Sequence, residues 1–199
     1  MQKLSLEEKI YLMSGLRTME EVRKSIQKKV NTHYNEVPYR AGGIDGKVPP
    51  VLFADGTKGV VCDRKTYTCF PVESMRGASF DPMLEKEIGE AIGAEVLLAG
   101  ANLFGGVCVN LPYHPGWGRA QETFGEDPYL LGKMGAALVE GVQTTGVIAC
   151  VKHFAFNSME NARFEVDITC DEKAEQEVFL SQFKRCVEAG AGAVMSSYN

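Results

Sequence analysis

The chain has 199 residues, which at about 150 residues per domain is one domain or slightly more. Hydrophobic residues make up 45% and charged residues 24%, a globular composition that excludes a disordered chain. The net charge of −5 comes from acidic and basic residues mixed along the sequence, so there is no footprint for a nucleic-acid partner, and no apolar run approaches the roughly 18 residues of a membrane span.

In chain order, Met1 to Lys9 carries neither an apolar h-region nor a small-residue cleavage site, which predicts a cytoplasmic protein without a signal peptide. Ser5 and Glu8 form a capping-box pattern. Helical periodicity follows over residues 5–14 and about 18–30. Residues 35–50, with Pro38, Gly42, Gly43, Gly46, Pro49 and Pro50, read as a loop. Residues 1–50 are thus expected to be a helical lead-in and loop, and residues 51–199 the main unit.

Within that unit, apolar runs of strand length occur at 51–54, 107–111, 147–151 and 193–195. Helices are signalled between them. Asp81-Pro82 places a cap before a proline at the first helical position, with Leu84, Ile88, Ile92, Val96 and Ala99 on one face. Asp127-Pro128 repeats the device, with Leu131, Met134, Leu138 and Val142 inward and Gly146 as the stop. Thr169 with Glu172 is a second capping-box pattern, opening a helix with Leu180, Phe183 and Val187 inward and Gly190 at its end.

Strands alternating with helices imply an α/β fold with a parallel sheet, and continuous apolar strands imply one covered on both faces. A doubly wound sheet and a (β/α)8 barrel both satisfy this. The sequence has no G-x-x-x-x-G-K-[ST] and no G-x-G-x-x-G between a strand and a helix, which argues against nucleotide-cofactor enzymes. The six cysteines, Cys62, Cys69, Cys108, Cys150, Cys170 and Cys186, lack C-x-x-C spacing and read as reduced, buried thiols. A pairing of Cys62 with Cys69 in one loop is the alternative.

In parallel α/β folds chemistry gathers at the C-terminal ends of strands. Asp55-Gly56 follows the first run. Asn110 follows the second, ahead of a loop with His114, Trp117 and Arg119. Lys152-His153 follows the third, with Asn157, Glu160 and Arg163 close behind, and Ser196, Ser197, Tyr198 and Asn199 follow the fourth. Carboxylate, guanidinium, ammonium and imidazole converging on one rim suit vicinal hydroxyls, with Trp117 as an aromatic platform. Each group also has a plainer reading. A lysine at a strand end is usually solvated, Asp55-Gly56 is a turn dipeptide, and Glu122 and Glu126 read as structural acids holding Arg119 or loop amides. Four strand ends together favour the sugar site.

These residues resemble the N-terminal barrel domain of glycoside hydrolase family 3, of the β-glucosidase type. The resemblance rests on Phe53-Ala54-Asp55-Gly56-Thr57-Lys58-Gly59, on GRAQETFGEDP from Gly118 to Pro128, on Lys152-His153-Phe154-Ala155-Phe156-Asn157 and on Met195-Ser196-Ser197-Tyr198-Asn199. Leu6-Glu7-Glu8-Lys9-Ile10 resembles the usual start of that domain. The resemblance implies a partial (β/α)8 TIM-type barrel of about four strands, and retaining hydrolysis of terminal β-glycosidic bonds through a covalent glycosyl-enzyme intermediate. It implies that Asp55, Arg119, Lys152 and His153 hold sugar hydroxyls. Arg163, Met195 and Tyr198 would line the same pocket, with Tyr198 near the nucleophile and Met195 beside it. A branch that cleaves N-acetylglucosaminides has a Gly-Asp-Thr loop with a catalytic histidine after the K-H-F block; residues 155–163 here lack it, so the β-glucosidase branch fits better. Thr57 stands where proline is usual, and Val61 where an arginine is common.

The family's nucleophile, an aspartate in Ser-Asp-Trp or Ser-Asp-Phe, is absent, and its acid/base lies further along still. Nothing recommends Glu160 or Asp167 as a substitute. The expectation is therefore a fragment of about half a barrel, carrying the sugar-binding rim and little activity of its own. The alternative is a non-catalytic carbohydrate-binding half-barrel or split-enzyme subunit. The expected partner is a β-linked glycoside, with no nucleic acid, no membrane and neither metal nor organic cofactor. Oligomeric state is left open.

Overall fold

The computed structural model describes residues 4–13, 39–62 and 65–199. The first element is helix α1, Leu6–Leu12. Its capping box forms as expected, with Glu8 N donating to Ser5 Oγ at 3.1 Å and Ser5 N to Glu8 Oε2 at 2.7 Å. The helix expected near residues 18–30 lies outside the described residues.

Among the described residues, five strands form one sheet: β1 (Tyr39–Ala41), β2 (Val51–Ala54), β3 (Leu103–Cys108), β4 (Ile148–Phe154) and β5 (Ala193–Ser196), side by side in chain order. β2 to β5 are parallel, as the alternation of strands and helices requires. β1 corrects the sequence reading. It falls within the stretch expected to be loop and pairs antiparallel with β2, so the sheet is mixed and has five strands rather than four. Three residues are too few to show a period-two pattern. The result is a curled, mixed α/β sheet with helices, a half-barrel.

β3 also starts earlier than expected. Gly105-Gly106 masks its first half, because glycine pairs interrupt a strand pattern. The glycines are sterically required there. A Cβ on Gly106 would sit 1.9 Å from the carbonyl oxygen of Gly56, and one on Gly105 would sit 2.4 Å from the Phe53 ring.

Helix α2 (Glu73–Gly77) and helix α3 (Pro82–Leu98) lie between β2 and β3, and α4 (Pro128–Thr144) lies between β3 and β4. Asp81 caps α3 by accepting from Met83 N and Leu84 N, and Asp127 caps α4 by accepting from Tyr129 N and Leu130 N. On α4 the expected face is the buried face: Leu131, Met134, Leu138 and Val142 are each fully buried. Each such side chain contributes about 1.5–3 kcal/mol of burial. On α3 the inward stripe differs at its start. Leu84 is exposed, and Glu85 takes the inward position ahead of Gly89, Ile92 and Val96.

Between β4 and β5 the helix is broken into α5 (Glu172–Ala174), a π turn (Glu175–Phe179) and α6 (Ser181–Glu188). Its cap is Asp171, which accepts from Ala174 N, rather than Thr169. The buried stripe of α6 is Gln182, Phe183 and Cys186, and Val187 is exposed on its flank, contrary to expectation. A π turn adds a residue to the turn, which shifts the phase of everything after it.

The core lies between the sheet and α3, α4 and α6, built from Ile92, Val96, Phe104, Leu138, Val151 and Phe183 among others. None of the six cysteines forms a disulfide, so Cys62 and Cys69 are not paired with each other. Cys69 and Cys170 are exposed, so the expectation of buried thiols holds only for the other four. Among the described residues, no helix is long and apolar enough to cross a membrane.

Candidate active site

The parallel strands deliver their polar residues to one rim. β2 ends in Ala54, and Asp55 follows in a tight turn. Its Oδ1 accepts from Gly56 N at 2.8 Å, and its carbonyl accepts from Val61 N at 2.8 Å. Gly56 has φ of 134°, and a Cβ there would lie 1.8 Å from Gly59 O, so the turn needs glycine. That turn aims the Asp55 carboxylate across β3 at Lys152. The Lys152 side chain, 4% exposed, places Nζ 3.2 Å from Asp55 Oδ1.

Lys152 and His153 are both buried near the end of β4, and the Lys152–His153 and Phe154–Ala155 peptides are cis. His153 is held on three sides. Its backbone N–H donates to Asn110 Oδ1 at 2.8 Å, its Nδ1 lies 2.9 Å from the same oxygen, and its Nε2 lies 3.1 Å from Arg119 Nη1. Burial, then the charges of Arg119 and Lys152, lower its pKa to about 3. The ring is therefore neutral across the physiological range.

Arg119 sits in the loop after β3 and makes a two-pronged contact with Glu122, Nε to Oε1 at 2.9 Å and Nη2 to Oε2 at 2.6 Å. Burial works against its charge, but the hydrogen bonds and charge of Glu122 outweigh that and hold it firmly protonated. The structural reading of Glu122 is thus borne out, while Glu126 is exposed.

A second group lies alongside. Glu160 accepts from Trp117 Nε1 at 3.0 Å and from Arg163 Nη1 at 2.6 Å. The Arg163 guanidinium then lies over the Tyr198 ring at 5.1 Å and the Phe164 ring at 5.0 Å. Its charge adds to those that keep His153 neutral, which links the two groups. Met195 lies in β5, in register with Lys152. Trp117 departs from expectation. It is 4% exposed with its N–H engaged by Glu160, so it braces the loop instead of offering an open platform. Asp167 is exposed.

Behind the Asp55 turn is a feature that the sequence reading missed. Arg76 is buried between two carboxylates, 3.4 Å from Glu73 and 3.3 Å from Glu85, and donates to Thr57 O at 3.4 Å. All three side chains are at most 2% exposed. Burial raises Glu73 to about 8, against the pull of Arg76 and Lys152, and raises Glu85 to about 7, against Arg76. The i, i+3 spacing of Glu73 and Arg76 was the one available signal, and it is common on solvated helices. Asn110 was legible only as a polar residue closing an apolar run.

The pattern of these residues has counterparts in known proteins. The model of the glycosyl hydrolase family 3 N terminal domain matches residues 13–199. Beta-glucosidase B of Emericella nidulans is 35% identical over 204 aligned positions, which cover 100% of this chain and 22% of that protein. The structure of beta-glucosidase 3B from Thermotoga neapolitana in complex with glucose superposes with a TM-score of 0.83 at 32% identity, covering 98% of this chain and 28% of that one. A glycoside hydrolase family 3 beta-glucosidase from Bifidobacterium adolescentis gives 0.84 at 30% identity, over 98% of this chain and 26% of that one. The chain thus spans roughly a quarter of the length of the relatives it matches.

Proposed function

The chain belongs to glycosyl hydrolase family 3, and on that footing we propose that it forms the sugar-holding half of a β-glucosidase site. The observation that carries this is the meeting of Asp55 with Lys152 and of Arg119 with His153 at the ends of parallel strands. Lys152 and Arg119 donate hydrogen bonds. Asp55 and the bare nitrogen of His153 accept them. A sugar hydroxyl does both, so adjacent hydroxyls of a β-glucoside satisfy donors and acceptors together.

In this reading the reaction retains anomeric configuration through a covalent glycosyl-enzyme intermediate, which needs two carboxyl groups about 5 Å apart. In this scheme the nucleophile and the acid/base are supplied from outside the half-barrel that residues 51–199 form. Asp55, Lys152, His153 and Arg119 bind and orient the ring, and Arg163, Tyr198 and Met195 wall the pocket beside them. Contacts that tighten as the ring flattens lower the barrier, so these residues affect turnover as well as binding. Residues 51–199 form the half-barrel unit in this scheme and residues 1–50 its lead-in, with β1 reaching from the lead-in to pair with β2.

The test separates binding from hydrolysis. The 199-residue chain is expected to bind D-glucose in calorimetry without hydrolysing an aryl β-glucoside, while a longer enzyme containing it hydrolyses that substrate. Turnover by the 199-residue chain at enzyme-like rates refutes the division of labour. Absence of glucose binding refutes the site.

A further inference from the structure

Asn110 is fully buried just past β3, and apart from a weak contact from Cys108 Sγ to Oδ1 at 3.7 Å its side-chain amide is spent on residues 153–155. Its Nδ2 donates to the carbonyls of His153 at 2.9 Å and Ala155 at 3.1 Å. Its Oδ1 accepts from His153 N at 2.8 Å and faces His153 Nδ1 at 2.9 Å. These partners fix which way the amide points. Carbonyls only accept and a backbone N–H only donates, so the flipped amide would lose three bonds at once.

With Oδ1 fixed, Nδ1 of His153 must carry a proton to bond with it. The other ring nitrogen faces Arg119 Nη1 at 3.1 Å, and a guanidinium only donates. Nε2 must therefore be bare. The two neighbours specify one tautomer from opposite sides. Isolated imidazole has no such restriction, and a second proton is disfavoured by burial and by the surrounding cations.

We infer that Asn110 is a positioning residue that fixes His153 as the neutral Nδ1–H tautomer and so makes Nε2 a hydrogen-bond acceptor facing the sugar. The role in sugar binding rests on the function proposed above; the tautomer assignment does not. Asn110 touches no substrate. It sets the polarity of the pocket, because the opposite tautomer would place an N–H against Arg119 and leave Asp55 as the sole acceptor among the four hydroxyl-holding residues. A hydroxyl donating to Nε2 then competes with Arg119 for that lone pair, so the ligand recognised is one that donates there. A methoxy or fluoro group at the same carbon cannot.

The experiment is nitrogen NMR on the chain carrying 15N-histidine, with His153 assigned by the signals that vanish in His153→Gln. In the wild type, Nδ1 is expected in the protonated range and Nε2 in the bare range, unchanged from about pH 5 to 8. A wild-type His153 protonated on Nε2 overturns the inference whether or not any variant folds. In Asn110→Ala, checked for a cooperative thermal transition, the pure Nδ1–H pattern is expected to give way to a mixture of tautomers. A folded Asn110→Ala chain that keeps the pure pattern overturns the role of Asn110. D-glucose added to the wild type is expected to move the Nε2 signal. No movement overturns the acceptor role toward sugar, while the Nδ1 signal still decides the tautomer.

Discussion

Lys152 Nζ lies 3.2 Å from Asp55 Oδ1, although β3 separates the strands that carry them. The contact joins residues 97 positions apart and brings a cation and an anion together at the centre of the rim. Because the Lys152 side chain is almost wholly buried, the pair is little screened by solvent. Charge-assisted hydrogen bonds of this kind contribute about 1.5–3 kcal/mol each, or about 10- to 100-fold in affinity. Lys152→Met keeps the apolar stem and removes the charge. It is expected to weaken D-glucose binding by about that factor in calorimetry; unchanged affinity would exclude Lys152 from the sugar site.

The crossing also depends on Gly106. Its missing side chain lets the Gly56 carbonyl approach β3, and a methyl group would meet that backbone oxygen at 1.9 Å and the fully buried Phe104 ring at 2.1 Å. Gly106→Ala is expected to lower unfolding free energy by about 1–3 kcal/mol, the usual cost of overpacking. Urea denaturation monitored by far-UV circular dichroism measures it, and an unchanged midpoint would show that the turn has room to shift.

The buried Glu73–Arg76–Glu85 group sets a pH dependence of stability. Native Glu73 holds its proton to about 8 and Glu85 to about 7, whereas an unfolded glutamate releases it near 4.5. Over that window the native state binds more protons than the unfolded state, so stability falls as pH rises and levels off once both native groups have ionised. His153 acts in the opposite direction. It is neutral down to about 3 when folded and titrates near 6.5 when unfolded, so its contribution is lost as pH falls from 6.5 toward 3. From pH 6.5 to 8 the glutamates outweigh His153, whose unfolded form is half protonated at 6.5 and loses the rest of its proton over the next unit. Tm should therefore drop across that interval in the wild type and drop less in Glu73→Gln, which mimics the protonated form. Parallel Tm curves for the two proteins would exclude Glu73 as the source.

Much of this was legible in the sequence because capping and core periodicity are local. Asp81-Pro82 and Asp127-Pro128 mark helix starts, and Leu131, Met134, Leu138 and Val142 all lie inward. The rim was legible because position after an apolar run is also local. What escaped were features set by contact between distant segments. β1 is a strand only through its pairing with β2, and Gly105-Gly106 belongs to a strand because Phe53 and Gly56 pack on it. Trp117 looks like a platform until Glu160, 43 residues later, accepts its N–H. Glu85 replaces Leu84 on the inner face because Arg76 of another helix is there to meet it.

The contact between Arg119 and Glu122 gives the last expectation. Two parallel hydrogen bonds hold the guanidinium in one plane and leave Nη1 toward His153. A lysine at this position has the charge but not the fork, so it cannot face Glu122 and His153 at once. Arg119→Lys is therefore expected to weaken D-glucose binding by about tenfold or more, equivalent to one charge-assisted hydrogen bond. Glu122→Gln keeps the shape of the carboxylate and removes its charge, so it should act on the same property from the other side. If both act only by orienting the guanidinium, the double variant should weaken binding by less than the product of the two single effects. Full multiplication of the two effects would mean that Glu122 acts on the sugar by a route separate from Arg119.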